Sequence, residues 1–243
     1  MNLPDGLYAP PIAHRGLWRP GEAVENSLSA FEKACQAGYG IELDVRVTAD
    51  GEAVVFHDDD LERLTGAQGS VWGETAETLT SLPLRGGPDR IPTLAQTLEL
   101  VAGRAMLLIE LKAVPDHDGQ LEARVAQLLE RYRGPAAVIS FEPEALAWFA
   151  LHQPHLPRGL DAMGLSDQDA ADHPDDLPGR FARYLAVTQP HFLVLEQDSV
   201  SGALAQGERR RGLPVVAWTV RSAEEAAQVG ESCENFIFEG FTA

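Results

Sequence analysis

Gly40-Ile-Glu-Leu-Asp-Val-Arg-Val47 and Ala105-Met-Leu-Leu-Ile-Glu-Leu-Lys112 are the stretches whose reading decides the fold. Strands solvated on one face alternate apolar with polar residues, whereas strands buried on both faces read as near-continuous apolar runs. Both stretches fit the second pattern, except that charges enter toward their carboxyl ends. Side chains two apart on a strand leave the same face, so Glu42 and Asp44 project together, and Glu110 and Lys112 repeat the spacing. Paired acids on such a strand need a partner, because an unpaired buried charge is costly.

Outward from these two runs, apolar segments alternate with helical patterns. Further strands are expected at residues 11–14, 135–141, 158–161, 192–195, 214–220 and 236–238, and at 53–56 after the Asp50-Gly51 hairpin signal. Helices are expected at 92–101, 120–132, 144–151, 203–211 and 223–229. Another carries Leu28, Phe31 and Cys35, with a Ser29/Glu32 capping box and a stop at Gly38. The segment 58–92, rich in Gly, Thr and Ser between Leu61 and Arg90, reads as an excursion anchored by Trp72. The acidic, Pro-rich stretch 166–178 reads as a loop. Strands alternating with helices imply a parallel sheet. Eight strand candidates besides the hairpin strand at 53–56, with polar residues at their carboxyl ends, favour an α/β, (β/α)8 TIM-type barrel over one domain, residues 1–243. An open doubly wound sheet is less favoured, because no glycine-rich phosphate loop follows the first strand.

Composition narrows the function. The 243 residues are 44% hydrophobic with a formal net charge of -18, which argues against a general nucleic-acid binder and against attraction to an anionic membrane. No signal peptide is visible and no run approaches membrane-spanning length, so a cytoplasmic location is expected. The two cysteines, Cys35 and Cys233, read as reduced thiols, Cys35 as a buried small hydrophobe.

Glu42, Asp44 and Glu110 offer three oxygen ligands without cysteine, suiting a hard cation, Mg2+ or Ca2+, better than zinc. His14 and His57 each end a strand-like run on the same side as the acids, where one imidazole can act as general base and the other as general acid. His117, His152, His155, His173 and His191 read as packing or surface residues. Arg15 presents a planar fork for two phosphate oxygens, and Lys112 a point charge. Metal-assisted hydrolysis accounts for the set.

The ordered run His14-Arg15-Gly16, Glu25-Asn26, Glu42-x-Asp44 and His57-Asp58 resembles the glycerophosphodiester phosphodiesterase family, within the phosphatidylinositol phospholipase C-like superfamily. The likeness continues through Leu61-Glu-Arg-Leu-Thr-Gly66, Ile91-Pro-Thr-Leu94, Glu110-Leu-Lys112, Ser140-Phe-Glu-Pro143 and Val216-Ala-Trp-Thr-Val220. The resemblance implies a TIM-type barrel that cleaves glycerophosphodiesters, small deacylated phospholipids, to glycerol 3-phosphate and an alcohol with a divalent metal. It implies His14 and His57 as the acid/base pair, without dividing the roles, and Glu42, Asp44 and Glu110 as metal ligands. Arg15 and Lys112 would hold phosphate and Trp218 would line the substrate cavity. Asn26 would approach the metal or phosphate, or equally cap a helix. A lysophospholipase D-type enzyme and a non-catalytic glycerophosphodiester-binding barrel are the alternatives. Two departures stand out. Arg221 replaces the family's usual Asn after Trp-Thr-Val, a cation favouring a negatively charged headgroup. The last outer helix is expected to be missing, which would leave apolar surface for the amino-terminal segment or, in a homodimer, another subunit to cover.

Overall fold

A computed structural model of the protein describes residues 3–112 and 119–243; His117 lies outside them. The strands are β1 (Ile12–Ala13), β2 (Gly40–Val47), β3 (Ala53–Val55), β4 (Leu107–Leu111), β5 (Ala136–Ser140), β6 (Arg158–Ala162), β7 (Phe192–Glu196), β8 (Val215–Val220) and β9 (Asn235–Phe238). The helices are α1 (Leu28–Ala37), α2 (Glu62–Thr65), α3 (Ala76–Ser81), α4 (Leu94–Val101), α5 (Gln120–Leu129), α6 (Pro143–His152), α7 (Asp167–Asp172), α8 (Leu177–Thr188), α9 (Gln197–Val200), α10 (Ala203–Arg210) and α11 (Ala223–Val229). The pairs β2–β4, β5–β6, β6–β7, β7–β8 and β8–β9 are parallel, and β2–β3 is an antiparallel hairpin. The fold class is the expected α/β, (β/α)8 TIM type. The chain divides into two compact units, residues 13–136 and residues 1–12 with 137–243.

In the unit 13–136, β2 is buried along nearly its whole length, as its apolar run requires. Its register with β4 sets Glu42 opposite Leu108 and Asp44 opposite Glu110. Positions 42, 44 and 110 therefore share one face, since alternate residues project together. Asp50-Gly51 makes the turn as read, with Gly51 at φ 79°, and β3 returns so that the Phe56 N–H donates to the Asp44 carbonyl at 3.0 Å. The hairpin thus delivers His57 beside the acids. Helix α1 buries Ala30, Phe31 and Ala34. It starts two residues earlier than its expected capping box. Ser27, not Ser29, is the N-cap, accepting from the Ala30 N–H at 3.2 Å, while the Ser29 N–H turns to Asp89. Cys35 is only half-buried, and both cysteines are free.

The excursion has its own core. Val24, Val54, Phe56, Leu61, Leu64, Val71, Leu79, Leu84 and Ile91 cluster there. Trp72 is not its anchor: it is 56% exposed while Val71 is fully buried, because the short 3-10 turn at Val71–Gly73 points consecutive side chains in different directions.

In the other unit the strand order is β5-β6-β7-β8-β9. The stretch expected to be a loop contains α7, capped reciprocally by Ser166 and Asp169, and the start of α8. Pro178 hid α8 from the sequence reading, yet proline is tolerated in the first helical turn, where its missing N–H has no intrahelical role. No helix follows β9 among the described residues. The amino-terminal segment lies against that strand. Leu7 is 1% exposed, and the Asn235 side-chain amide donates to the Leu7 and Pro10 carbonyls at 3.0 and 2.9 Å. The amino-terminal segment thus contributes to covering this strand, one of the two expected ways of meeting its apolar surface. No helix among the described residues is long and apolar enough to cross a membrane.

Candidate active site

Every residue expected at the site except Trp218 lies in the unit 13–136. Beyond β1 the chain turns sharply, with Arg15 at φ 56° and Gly16 at φ 83°. Only glycine fits the second position. A Cβ on Gly16 would stand 2.9 Å from both Ala30 Cβ and Phe31 Cδ1, at a backbone angle that L side chains resist. Gly16→Ala is expected to cost about 1–3 kcal/mol of stability, read as a lower midpoint in urea with an unchanged slope. An unchanged midpoint would refute the packing argument.

This turn aims Arg15 across the acids. Its backbone N–H donates to Glu42 Oε2 at 2.9 Å. Its side chain donates from Nη1 to Glu25 at 2.7 Å and sets Nε 3.4 Å from Asp44. Asn26 is not a helix cap. Its amide donates to Asp44 Oδ2 at 2.7 Å and accepts from the Asp44 N–H at 3.2 Å, a reciprocal clamp reached through a left-handed backbone at φ 56°. Lys112 places its ammonium 2.5 Å from Glu110 and 3.1 Å from Asp44. His14 Nε2 is 3.9 Å from Glu42. His57 Nδ1 is 2.8 Å from Asp58 Oδ1.

Glu42, Asp44 and Glu110 are 2, 0 and 7% exposed, and each offers a carboxylate oxygen within 4.8 Å of the others. Burial, then repulsion from Asp44 and Glu110, pushes Glu42 well above the usual carboxylate range. Burial and Asp44 raise Glu110 to about 7 against the pull of Lys112. Asp44 is also opposed by burial, but Lys112, Arg15, His57 and Asn26 hold it well below its ordinary value. Among the described residues, Glu42 Oε1 is buried with no hydrogen-bond partner. Three crowded acids, one with an unsatisfied oxygen, are short of positive charge. A divalent, oxygen-seeking cation supplies what is lacking, so the residues fit such a site.

Glu25, Asp58 and Arg63 stand in the motifs of the sequence but have no role assigned from it; the structure joins them in this unit's charge network. Arg63 forks onto both acids, reaching Glu25 at 2.8 and 3.0 Å and Asp58 at 2.5 and 2.9 Å. Asp58 adjoins His57, the one local signal available. Arg46 donates from Nε to the His57 carbonyl at 2.8 Å and pairs with Asp59.

Trp218, on β8, meets Phe141 edge-on with ring centroids 5.6 Å apart. Arg221 is tied locally: its N–H donates to Glu225 at 2.6 Å and its Nε lies 3.7 Å from Glu239. His191 accepts from the Arg158 N–H, His152 stacks on Trp148, and His155 and His173 are exposed.

Comparison with known proteins shows what the chain is similar to. The sequence model described as the glycerophosphoryl diester phosphodiesterase family matches residues 14–232. The chain is 30% identical over 224 residues to the glycerophosphodiester phosphodiesterase of Caldanaerobacter subterraneus subsp. tengcongensis, covering 88% of this chain and 86% of that one. It is 32% identical over 227 residues to YhdW of Bacillus subtilis, covering 90% and 88%. An Oleispira antarctica phosphodiesterase solved with the product sn-glycerol-3-phosphate superposes with a TM-score of 0.79 at 24% identity, over 93% of this chain and 91% of that one. A glycerophosphodiester phosphodiesterase from Agrobacterium tumefaciens gives 0.71 at 26% identity, over 93% and 94%.

Proposed function

The chain belongs to the glycerophosphoryl diester phosphodiesterase family, and from that membership we propose that it hydrolyses small, water-soluble glycerophosphodiesters to glycerol 3-phosphate and an alcohol. A single domain over residues 1–243 carries the activity, in the cytoplasm. The observation that supports this reading best is the convergence of three buried carboxylates with Arg15, Lys112 and His14 in one unit.

Glu42, Asp44 and Glu110 would hold one divalent ion, Mg2+ or Ca2+. When bound, that ion neutralises charge developing on phosphate and lowers the pKa of a coordinated hydroxyl. Arg15 and Lys112 bind and orient the phosphodiester, their positive charge facing its oxygens. Asn26 keeps Asp44 in place. His57 acts as a base. Its Nδ1–H is spoken for by the Asp58 carboxylate, so the lone pair sits on Nε2. Burial lowers its pKa against the pull of Asp44, favouring the neutral ring that can take the proton of the attacking oxygen, that of water or of the substrate's own 2-hydroxyl. In the second case a cyclic phosphate forms, which water then opens to glycerol 3-phosphate. His14 donates a proton to the departing alcohol oxygen.

Metal-stripped protein incubated with glycerophosphocholine, with Mg2+ or Ca2+ restored separately, tests the proposal. Glycerol 3-phosphate and choline should form in stoichiometric amounts, and only with an ion present. Release of glycerol and phosphocholine instead, or no release with either ion, would overturn it.

A further inference from the structure

Arg15, Glu25, Arg63, Asp58 and His57 form an unbroken chain of alternating charge. Arg15 donates to Glu25 at 2.7 Å, Arg63 to Glu25 at 2.8 and 3.0 Å and to Asp58 at 2.5 and 2.9 Å, and Asp58 meets His57 Nδ1 at 2.8 Å. From this we propose that Arg63 is a positioning residue, which locks Asp58 against the His57 ring and keeps that ring in register with Arg15. The proposal rests on the reading above, in which His57 moves a proton and Arg15 holds phosphate.

The arrangement suits arginine alone among the cations. A guanidinium carries five donors in one plane and can serve two carboxylates at once; an ammonium is a point charge without that geometry. Glu25 is 6% exposed and is reached by both arginines, so it couples two side chains that are far apart in sequence. Asp58, held down to about 2 because Arg63 and His57 outweigh its burial, remains an acceptor throughout the neutral range. An acceptor fixed at Nδ1 selects one tautomer and one ring orientation.

A purely structural role is the competing explanation, and the surroundings of Arg63 speak against it. Its side chain is 47% exposed, and exposed ion pairs contribute little to stability. Helix α2 is held by its neighbours instead: Leu61 and Leu64 are 1 and 8% exposed, Gly66 closes the helix at φ 78°, and the Arg85 N–H donates to the Leu64 carbonyl at 2.6 Å.

The test compares Arg63→Ala, Arg63→Lys and Asp58→Asn with wild type and with Arg124→Ala, which removes a similar fork, onto Glu52, elsewhere in the unit. Steady-state kinetics on glycerophosphocholine are read together with 15N chemical shifts of the His57 ring. In Arg63→Ala, kcat should fall roughly tenfold to a hundredfold, more than KM rises, with thermal stability retained. The ring shifts should move from one tautomer to a mixture. Lysine should not restore kcat, added guanidinium should restore part of it in Arg63→Ala, and Arg124→Ala should match wild type. Wild-type kcat and unchanged ring shifts in Arg63→Ala, or full activity in Arg63→Lys, would overturn the proposal. His57→Ala separates the two levels. If it retains turnover, the acid/base reading fails, whereas an inactive His57→Ala beside a normal Arg63→Ala sinks only the role given to Arg63.

Discussion

His57→Ala should lower turnover of glycerophosphocholine by about two to four orders of magnitude, the usual contribution of a positioned acid or base, while the protein stays folded. The expectation comes from how the ring is held. The β2–β3 hairpin carries it to the edge of the acidic cluster, Arg46 grips its carbonyl, and Asp58 fixes its Nδ1. None of these supports depends on the imidazole filling a core, since the side chain is 33% exposed. Alanine therefore removes chemistry without opening a large cavity. His14→Ala should show a comparable loss, and under the proposed acid/base pairing the double variant should lose much less than the product of the two. Near-normal turnover in both single variants, or a collapse in thermal midpoint matching the loss of activity, would refute the assignment.

Glu42→Gln should abolish at least about 99% of ion-dependent turnover, because a divalent ion typically supplies several kcal/mol of transition-state stabilisation. The same substitution should leave the ion-free protein as stable as wild type, or more so. The sign follows from the titration. Burial and two neighbouring acids raise the carboxyl well above its unfolded value, so its ionised form opposes folding once the pH exceeds that unfolded value. A neutral amide of the same shape removes the penalty. Calorimetry with ion absent and with ion present distinguishes this from simple damage. Wild type should gain stability on adding ion and the variant should gain little. Equal gains would mean that the ion binds elsewhere.

Much of this is legible in the sequence itself. The apolar runs at 40–47 and 105–112 named their own strands, and two-residue periodicity put Glu42 with Asp44. The pairing of Asp44 with Glu110 needs the register between β2 and β4, which periodicity alone does not give. The errors also have physical causes. Trp72 reads as an anchor because large aromatics usually are, but the cluster is filled by Phe56 and by aliphatic residues from several turns. Ser27 and Ser29 are equally good caps by type, and the local turn at Asn26 decided between them. Glu25 and Arg63 are 38 residues apart, so their pairing exists only once the excursion has folded back. Charges far apart in sequence are thus joined in one network by the fold.

The amide of Asn235 holds the carbonyls of Leu7 and Pro10, near opposite ends of the polypeptide. Mechanical tension applied between those ends would load these two bonds before it reached the interior strands. In an optical trap, Asn235→Ala should release the leading segment at lower force, as a small extension ahead of the main rupture.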